Sequence, residues 1–119
     1  MTTLAQNHLA SAEAYYQAMN DKDPSAIAAL VHPDIQLVSP MATVAGKSAF
    51  LEATSRFMSQ VKSVEIKARF SAEQQAMLTY DADFGPAIGI CRSAVLMTFR
   101  DALISRIELF FDARPFAQF

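Results

Sequence analysis

A chain of 119 residues, 52% hydrophobic and only 18% charged, is too apolar for disorder and too short for a catalytic domain plus a regulatory one. Ten basic against twelve acidic residues give a net charge of −2 with no basic stripe, which argues against nucleic-acid binding. The charged share sits below the usual value of about 25%, so apolar surface is left over to line an internal pocket or a subunit interface.

The N-terminal residues Met1 to His8 lack the basic start and apolar run of a signal peptide. The longest uninterrupted apolar run, Ala26 to Val31, is far below a membrane span. A single cysteine, Cys91, forbids an internal disulfide. These features lead us to expect one soluble cytoplasmic domain over residues 1–119.

Thr3-Leu4-Ala5-Gln6 has capping-box spacing and opens a helix to about Asn20, with an apolar stripe of Leu9, Ala12, Tyr16 and Met19 and with Tyr15 on its flank. The polar break Asn20-Asp21-Lys22-Asp23 ends it. Asp23 then caps a short second helix with Pro24 at its first position, and His32-Pro33 is expected to stop that helix after about two turns. Ile35 to Met41 alternates as a strand, ended by Pro40 and the residues after it. Gly46 opens a third helix whose apolar face is Phe50, Leu51, Thr54, Phe57 and Met58.

From Val61 onward the period changes from 3.6 to 2. Val64, Ile66, Ala68 and Phe70 alternate with charged residues as a half-buried strand, and Gln75 to Phe84 forms the next. Gly85-Pro86-Ala87 is a loop, followed by a long strand from about Gly89 to Arg100, a tight turn at Asp101-Ala102, and a last strand from Leu103 to about Asp112. Short links imply antiparallel pairing, and segregated helices imply an α+β packing of one curved sheet around three helices.

In this order the chain resembles the nuclear transport factor two-like superfamily, in its SnoaL-like and ketosteroid-isomerase-like branch. The resemblance is carried by Ala14 to Asp23 with its aromatic and N-x-x-D exit, Ala28 to Asp34, Val44-Ala45-Gly46-Lys47 before an apolar helix, and Ile107 to Asp112. It implies a cone-shaped, cystatin-like α+β barrel with a mixed, mainly antiparallel sheet, an apolar cavity open at one end, and a homodimer formed through the outer sheet face. It also implies a small hydrophobic ligand, with isomerase, cyclase or hydrolase chemistry in some relatives and only binding or association in others.

Carried over residue by residue, the isomerase's helix tyrosine matches Tyr15. Its acidic-Pro base position is Ser39-Pro40, and its oxyanion aspartate position is Met97. Both carboxylates are missing, and a serine hydroxyl without a partner base does not take a proton from carbon near neutral pH, so steroid-isomerase chemistry is rejected. The remaining acid/base candidates are Glu108 and Asp112 with Tyr15. Alignment to the isomerase turns the face of Arg106, Glu108 and Phe110 toward the cavity, whereas composition sends Ile107, Leu109 and Phe111 inward. Ser39, Met41, Phe57, Tyr80, Ser93, Met97, Arg106 and Phe110 are the expected ligand contacts, and Met19 and Met58 are expected to border the same cavity.

His8, at an exposed first turn, and His32, at a helix stop, have no partner at metal-ligand spacing, so neither metal nor cofactor is expected. Gly46-Lys47-Ser48 lacks the upstream glycine of a P-loop. Asp81 and Asp83 point outward, toward Arg92 or Arg100. Phe116 to Phe119 covers either a partner or the cavity mouth. Three functions stay open: an acid/base enzyme, a ligand-binding domain without turnover, and an association module with a filled interior. A chamber holding only neutral polar groups selects the second.

Overall fold

The computed structural model describes residues 3–117, so the ends of the chain (Met1, Thr2, Gln118 and Phe119) lie outside the described residues. Helix α1 (Leu4–Asn20) begins with the full capping box: Gln6 N–H donates to Thr3 Oγ1 at 3.1 Å and Thr3 N–H donates to Gln6 Oε1 at 2.8 Å. It buries Ala12, Tyr15, Tyr16, Ala18 and Met19, so Tyr15 belongs to the buried face and not to its flank. His8 is buried too, stacked on Phe99 at 4.1 Å, with Nδ1 2.6 Å from the Glu73 carbonyl.

The N-x-x-D exit has a mechanical explanation. Asn20 offers its side-chain amide as one rung of a ladder, accepting from Val64 N–H at 2.7 Å and donating to the Val64 carbonyl at 2.8 Å. Asp23 caps helix α2 (Pro24–Ala28) by accepting from Ala26 N–H at 3.2 Å. Between them Lys22 takes a positive φ of 55° and its Nζ donates to the Met58 and Val61 carbonyls. Those carbonyls close helix α3 (Lys47–Gln60), which buries Phe50, Thr54 and Met58.

Helix α2 is shorter than expected, and strand β1 (Val31–Val38) starts four residues earlier, taking in His32 and Pro33. The cause is a long-range partner: β1 pairs in parallel with the last strand, β6 (Leu103–Phe111), from Val31↔Ile104 to Val38↔Glu108. Pro33 falls within the irregular stretch between Val31 and Gln36, where a missing N–H breaks no ladder bond. His32 therefore sits in a strand, where Arg100 Nη2 lies 3.0 Å from its Nδ1. The three-residue strand β2 (Thr43–Ala45) returns antiparallel on β1 through a turn that Ser39 organises.

Strands β3 (Ser63–Ser71), β4 (Gln75–Asp83) and β5 (Ile90–Arg100) complete a mixed sheet of order β2-β1-β6-β5-β4-β3. Two bulges change which residues face inward. In β3 the register shifts between Ile66 and Ala68, so Val64 and Ile66 pair with the inward Ala82 and Tyr80. Ala68 and Phe70 then pair with the outward Thr79 and Met77, and Phe70 is 62% exposed instead of half-buried. In β6 the shift at Ser105 lets Ile104 and Ile107 both face the core, at 0% and 1% exposure. The concave face thus presents Leu78, Val95, Met97 and Ile107 to the helices. Among the described residues no helix is long and apolar enough to cross a membrane.

Candidate functional site

Beyond this core, between the concave face and helices α1 and α3, the interior stays empty. One lobe of about 180 Å³ is lined by residues that include Tyr15, Tyr16, Leu37, Thr54 and Phe57. A second, of about 120 Å³, adds Gln60, Phe84, Cys91, Ser93 and Phe116. The lobes share Met41, Phe57, Tyr80, Leu109 and Phe111, so the chamber consists of two adjoining lobes. A cavity of about 150 Å³ is enough to hold a benzene ring, which sets the scale of each lobe.

The polar groups of this chamber are neutral. Tyr15 lies in hydrogen-bonding contact with Thr54, and Tyr16 with Tyr80, which in turn meets Ser93. The Tyr16 and Tyr80 rings are 4.8 Å apart, and Tyr15 meets Tyr16 edge-on at 5.0 Å. Burial raises the ionisation of all three phenols above the ordinary tyrosine value, with the Thr54 contact partly opposing it at Tyr15. They therefore stay protonated hydrogen-bond donors at neutral pH. Among the described residues lining the two lobes, none carries a carboxylate, imidazole, ammonium or guanidinium group. A wall of this kind can hold and polarise a carbonyl or hydroxyl, but it offers no base to take a proton from carbon.

The structure brings Tyr15, Ser39, Met41, Phe57, Tyr80 and Ser93 to the chamber. The Ser39 hydroxyl is already committed to its turn, accepting from Met41 N–H at 3.2 Å and Ala42 N–H at 3.1 Å. Met41 stands at the rim, 57% exposed. Met19 lines the first lobe, whereas Met58 and Met97 do not line either lobe. Met97 is on the inward face but is wholly buried against the core and meets no empty space.

Arg106, Glu108 and Phe110 are on the other side of the sheet, which corrects the orientation implied by the isomerase alignment. Ile107, Leu109 and Phe111 carry the apolar surface that must be buried, and strand alternation then turns their neighbours outward. There Arg106 donates to Gln36 Oε1 at 3.1 Å and to Glu108 Oε1 at 3.3 Å, while Phe110 is 48% exposed. Asp112 lies past the end of β6 and binds the Arg114 guanidinium at 2.6 Å. That hydrogen bond, with a second from Arg114 N–H, holds its carboxyl down at about 2.

Asp81 approaches Arg92 at 3.8 Å and Lys67 at 3.9 Å on the outer face. Asp83 instead accepts from Gly85 N–H at 2.9 Å, and Arg100 goes to Asp34 at 3.0 Å. Among the described residues no group of three or more His, Cys, Asp or Glu side chains is placed to hold a metal ion.

Tyr16 and Thr54 read from the sequence as core, Leu109 and Phe111 as inward by composition but not as ligand contacts, and Phe116 as part of a segment over either a partner or the cavity mouth. The signal for Leu109 and Phe111 was present in the alternation of β6, whereas that for Phe116 was only its aromatic character beyond a proline.

A family profile for the SnoaL-like domain matches residues 12–107. The chain belongs to the SnoaL-like domain family. Its fold is that of the nuclear transport factor two-like superfamily, as the resemblance implied. A Kribbella flavida protein superimposes with a TM-score of 0.86 at 24% identity, over 92% of this chain and 90% of that one. A second protein from Kribbella flavida, provisionally assigned as a ketosteroid isomerase, gives 0.80 at 19% identity, over 92% and 81%. A de novo designed protein with a curved β-sheet gives 0.82 at 17% identity, over 91% and 87%. No curated protein matches the sequence significantly. A designed protein and a provisional isomerase share this architecture, so the lining of the chamber, and not the fold, must carry the functional argument.

Proposed function

We propose that this SnoaL-like protein binds a small, neutral, hydrophobic molecule in the chamber and does not turn it over by acid/base chemistry. The observation that carries this is the lining: two adjoining lobes of apolar and aromatic side chains whose polar groups, the Tyr, Ser and Thr hydroxyls, the Gln60 amide and the Cys91 thiol, bring no carboxylate, imidazole, ammonium or guanidinium. A carboxylate or ammonium on the ligand would lose its hydration there without gaining a counter-charge, so charged analogues are disfavoured. The tyrosine and serine hydroxyls fix one oxygen of the ligand, and the Phe and Met side chains supply contact area.

The test is a matched pair of fluorescent probes, neutral N-phenyl-1-naphthylamine and its anionic sulfonated counterpart. The neutral probe is expected to bind at least about tenfold more tightly, a difference of about 1.4 kcal/mol. Equal binding of the two, or binding of neither, overturns the proposal. Stereospecific proton exchange on a bound ketone, abolished in Tyr80→Phe, would restore the enzyme reading.

We also propose that two copies of the chain associate through the outer sheet face. Phe70 and Phe110 leave large apolar surfaces in solvent there, at 62% and 48% exposure, beside the partly buried Met77 and Leu96. Sedimentation equilibrium is expected to give a dimer that Phe110→Glu dissociates. A monomer at micromolar concentration removes this part of the proposal.

A further inference from the structure

The six described residues after β6, 112–117, are built differently from the strands before them. Strand pairing ends at Phe111, and a single 3-10 turn, Arg114–Phe116, with Pro115 inside it, places Phe116 in the wall of the second lobe. Its ring meets Phe84 edge-on at 5.0 Å and Phe111 edge-on at 5.7 Å, and Phe84 in turn meets Phe57 at 5.6 Å. Phe116 is thus the last member of an aromatic row that walls the chamber at that end.

The segment is held lightly. Phe116 N–H donates to the Ala113 carbonyl at 3.0 Å and Ala117 N–H to the Arg114 carbonyl at 3.2 Å. Arg114 N–H donates to Asp112 Oδ1 at 3.0 Å, and the Arg114 guanidinium grips the same carboxylate. All of these bonds stay within residues 112–117. Among the described residues, no hydrogen bond or ion pair of this turn reaches the body of the protein, and the Phe116 ring supplies its aromatic contacts there. The Asp112–Arg114 pair is exposed, so it sets the direction of the turn more than it locks it.

We propose that Phe116 is a specificity-determining residue that sets the maximum length of the bound molecule. This rests on the chamber-binding reading above. A ligand confined to the first lobe leaves the turn in place. A longer one runs past Tyr80 and Leu109 into the second lobe and stops at the Phe116 ring. Removing a ring the size of benzene from a lobe of about 120 Å³ opens that end to solvent and lifts the limit.

The experiment is displacement of N-phenyl-1-naphthylamine by the straight-chain alcohols from 1-hexanol to 1-tetradecanol, with wild type, Phe116→Ala and Arg114→Gln. For wild type, affinity is expected to rise about fourfold per added methylene and then level off. In Phe116→Ala the levelling is expected at least about two carbons later, because the tail continues into the vacated space. Arg114→Gln keeps the ring but frees the turn, and shifts the limit in the same direction. It decides the matter if circular dichroism shows that Phe116→Ala has lost its fold.

An unchanged limit in a folded variant overturns the role of Phe116 while leaving chamber binding intact. Affinity that climbs without levelling in wild type overturns it as well, since the tail would then leave past Met41. No displacement by any alcohol removes the chamber-binding reading itself.

Discussion

Residues 107, 108 and 109 of β6 are neighbours in sequence but lie on alternate faces, so three alanine substitutions separate the core, the outer face and the chamber wall. Ile107 is 1% exposed and pairs with the fully buried Met97. Trimming it leaves a void that close-packed neighbours cannot fill, at a cost of about 3–5 kcal/mol. Leu109 faces empty space on one side already, so Leu109→Ala is expected to cost only about 1–2 kcal/mol. Glu108 meets Arg106 at 3.3 Å with side-chain exposures of 30% and 42%, and water replaces that contact, so Glu108→Ala is expected to cost less than about 1 kcal/mol. Urea unfolding followed by circular dichroism measures all three, provided that the slope m is unchanged. Probe affinity is expected to be unaltered in Glu108→Gln. If Glu108→Ala matched Ile107→Ala in cost, or Glu108→Gln abolished binding, the carboxylate would have to face the interior.

The same contacts predict three further outcomes. Ala102→Gly is expected to stabilise the protein by about 0.5–1 kcal/mol in thermal or urea melts, because Asp101 and Ala102 hold positive φ of 55° and 65° in the β5–β6 turn; destabilisation would mean that the methyl group packs. Asn20→Ala removes both hydrogen bonds to Val64 at the edge of β3 and is expected to cost about 1–3 kcal/mol by urea unfolding, with Asn20→Asp recovering little because its carboxylate cannot donate. Buried Tyr15, Tyr16 and Tyr80 stay protonated in the folded state after free tyrosines ionise near 10.0, so the native state binds more protons there and stability falls as pH rises past that value. Tyr16→Phe is expected to flatten the alkaline limb of a pH–stability profile, and an unchanged limb would contradict the assignment.

The sequence made local structure legible wherever the cause was local. Thr3 with Gln6, Asp23 with Pro24 and the face of Phe50, Thr54 and Met58 are read from a few neighbouring residues, and the structure has each of them. The start of β1 was not legible, because Val31 is extended by pairing with Ile104, far along the chain. The strand faces were legible only between bulges. Simple alternation put Phe70 with Val64, until the shift after Ile66 turned it outward. In β6 the apolar alternation of Ile107, Leu109 and Phe111 pointed the right way, whereas alignment to the isomerase pointed Arg106 and Glu108 inward. Burial of apolar area is the stronger constraint, since a charged pair enters an apolar chamber only at a large desolvation cost.

The same contrast explains what was legible of the site. Phe57, Tyr80 and Ser93 fall on faces that periodicity predicts, whereas Tyr15, set on the flank by helical spacing, was singled out only by the family resemblance; all four line the chamber. Ser39 reaches it too, but its hydroxyl is spent on the turn that returns β2 to β1. Thr54 and Tyr16 read as core from sequence because helical spacing cannot distinguish a side chain packed against another from one bordering empty space. Glu108 and Asp112 were selected for their chemistry and by the family resemblance, and the geometry gives both of them to arginines away from the chamber.

The most direct measurement is methyl and aromatic NMR of the labelled protein titrated with N-phenyl-1-naphthylamine. Saturable shifts are expected for Leu37, Ala53, Leu109 and the Tyr80 ring, with none at Ala94, Leu96 or Phe110 on the outer face. Shifts confined to the outer face, or no saturable shift at all, would contradict a neutral ligand-binding chamber.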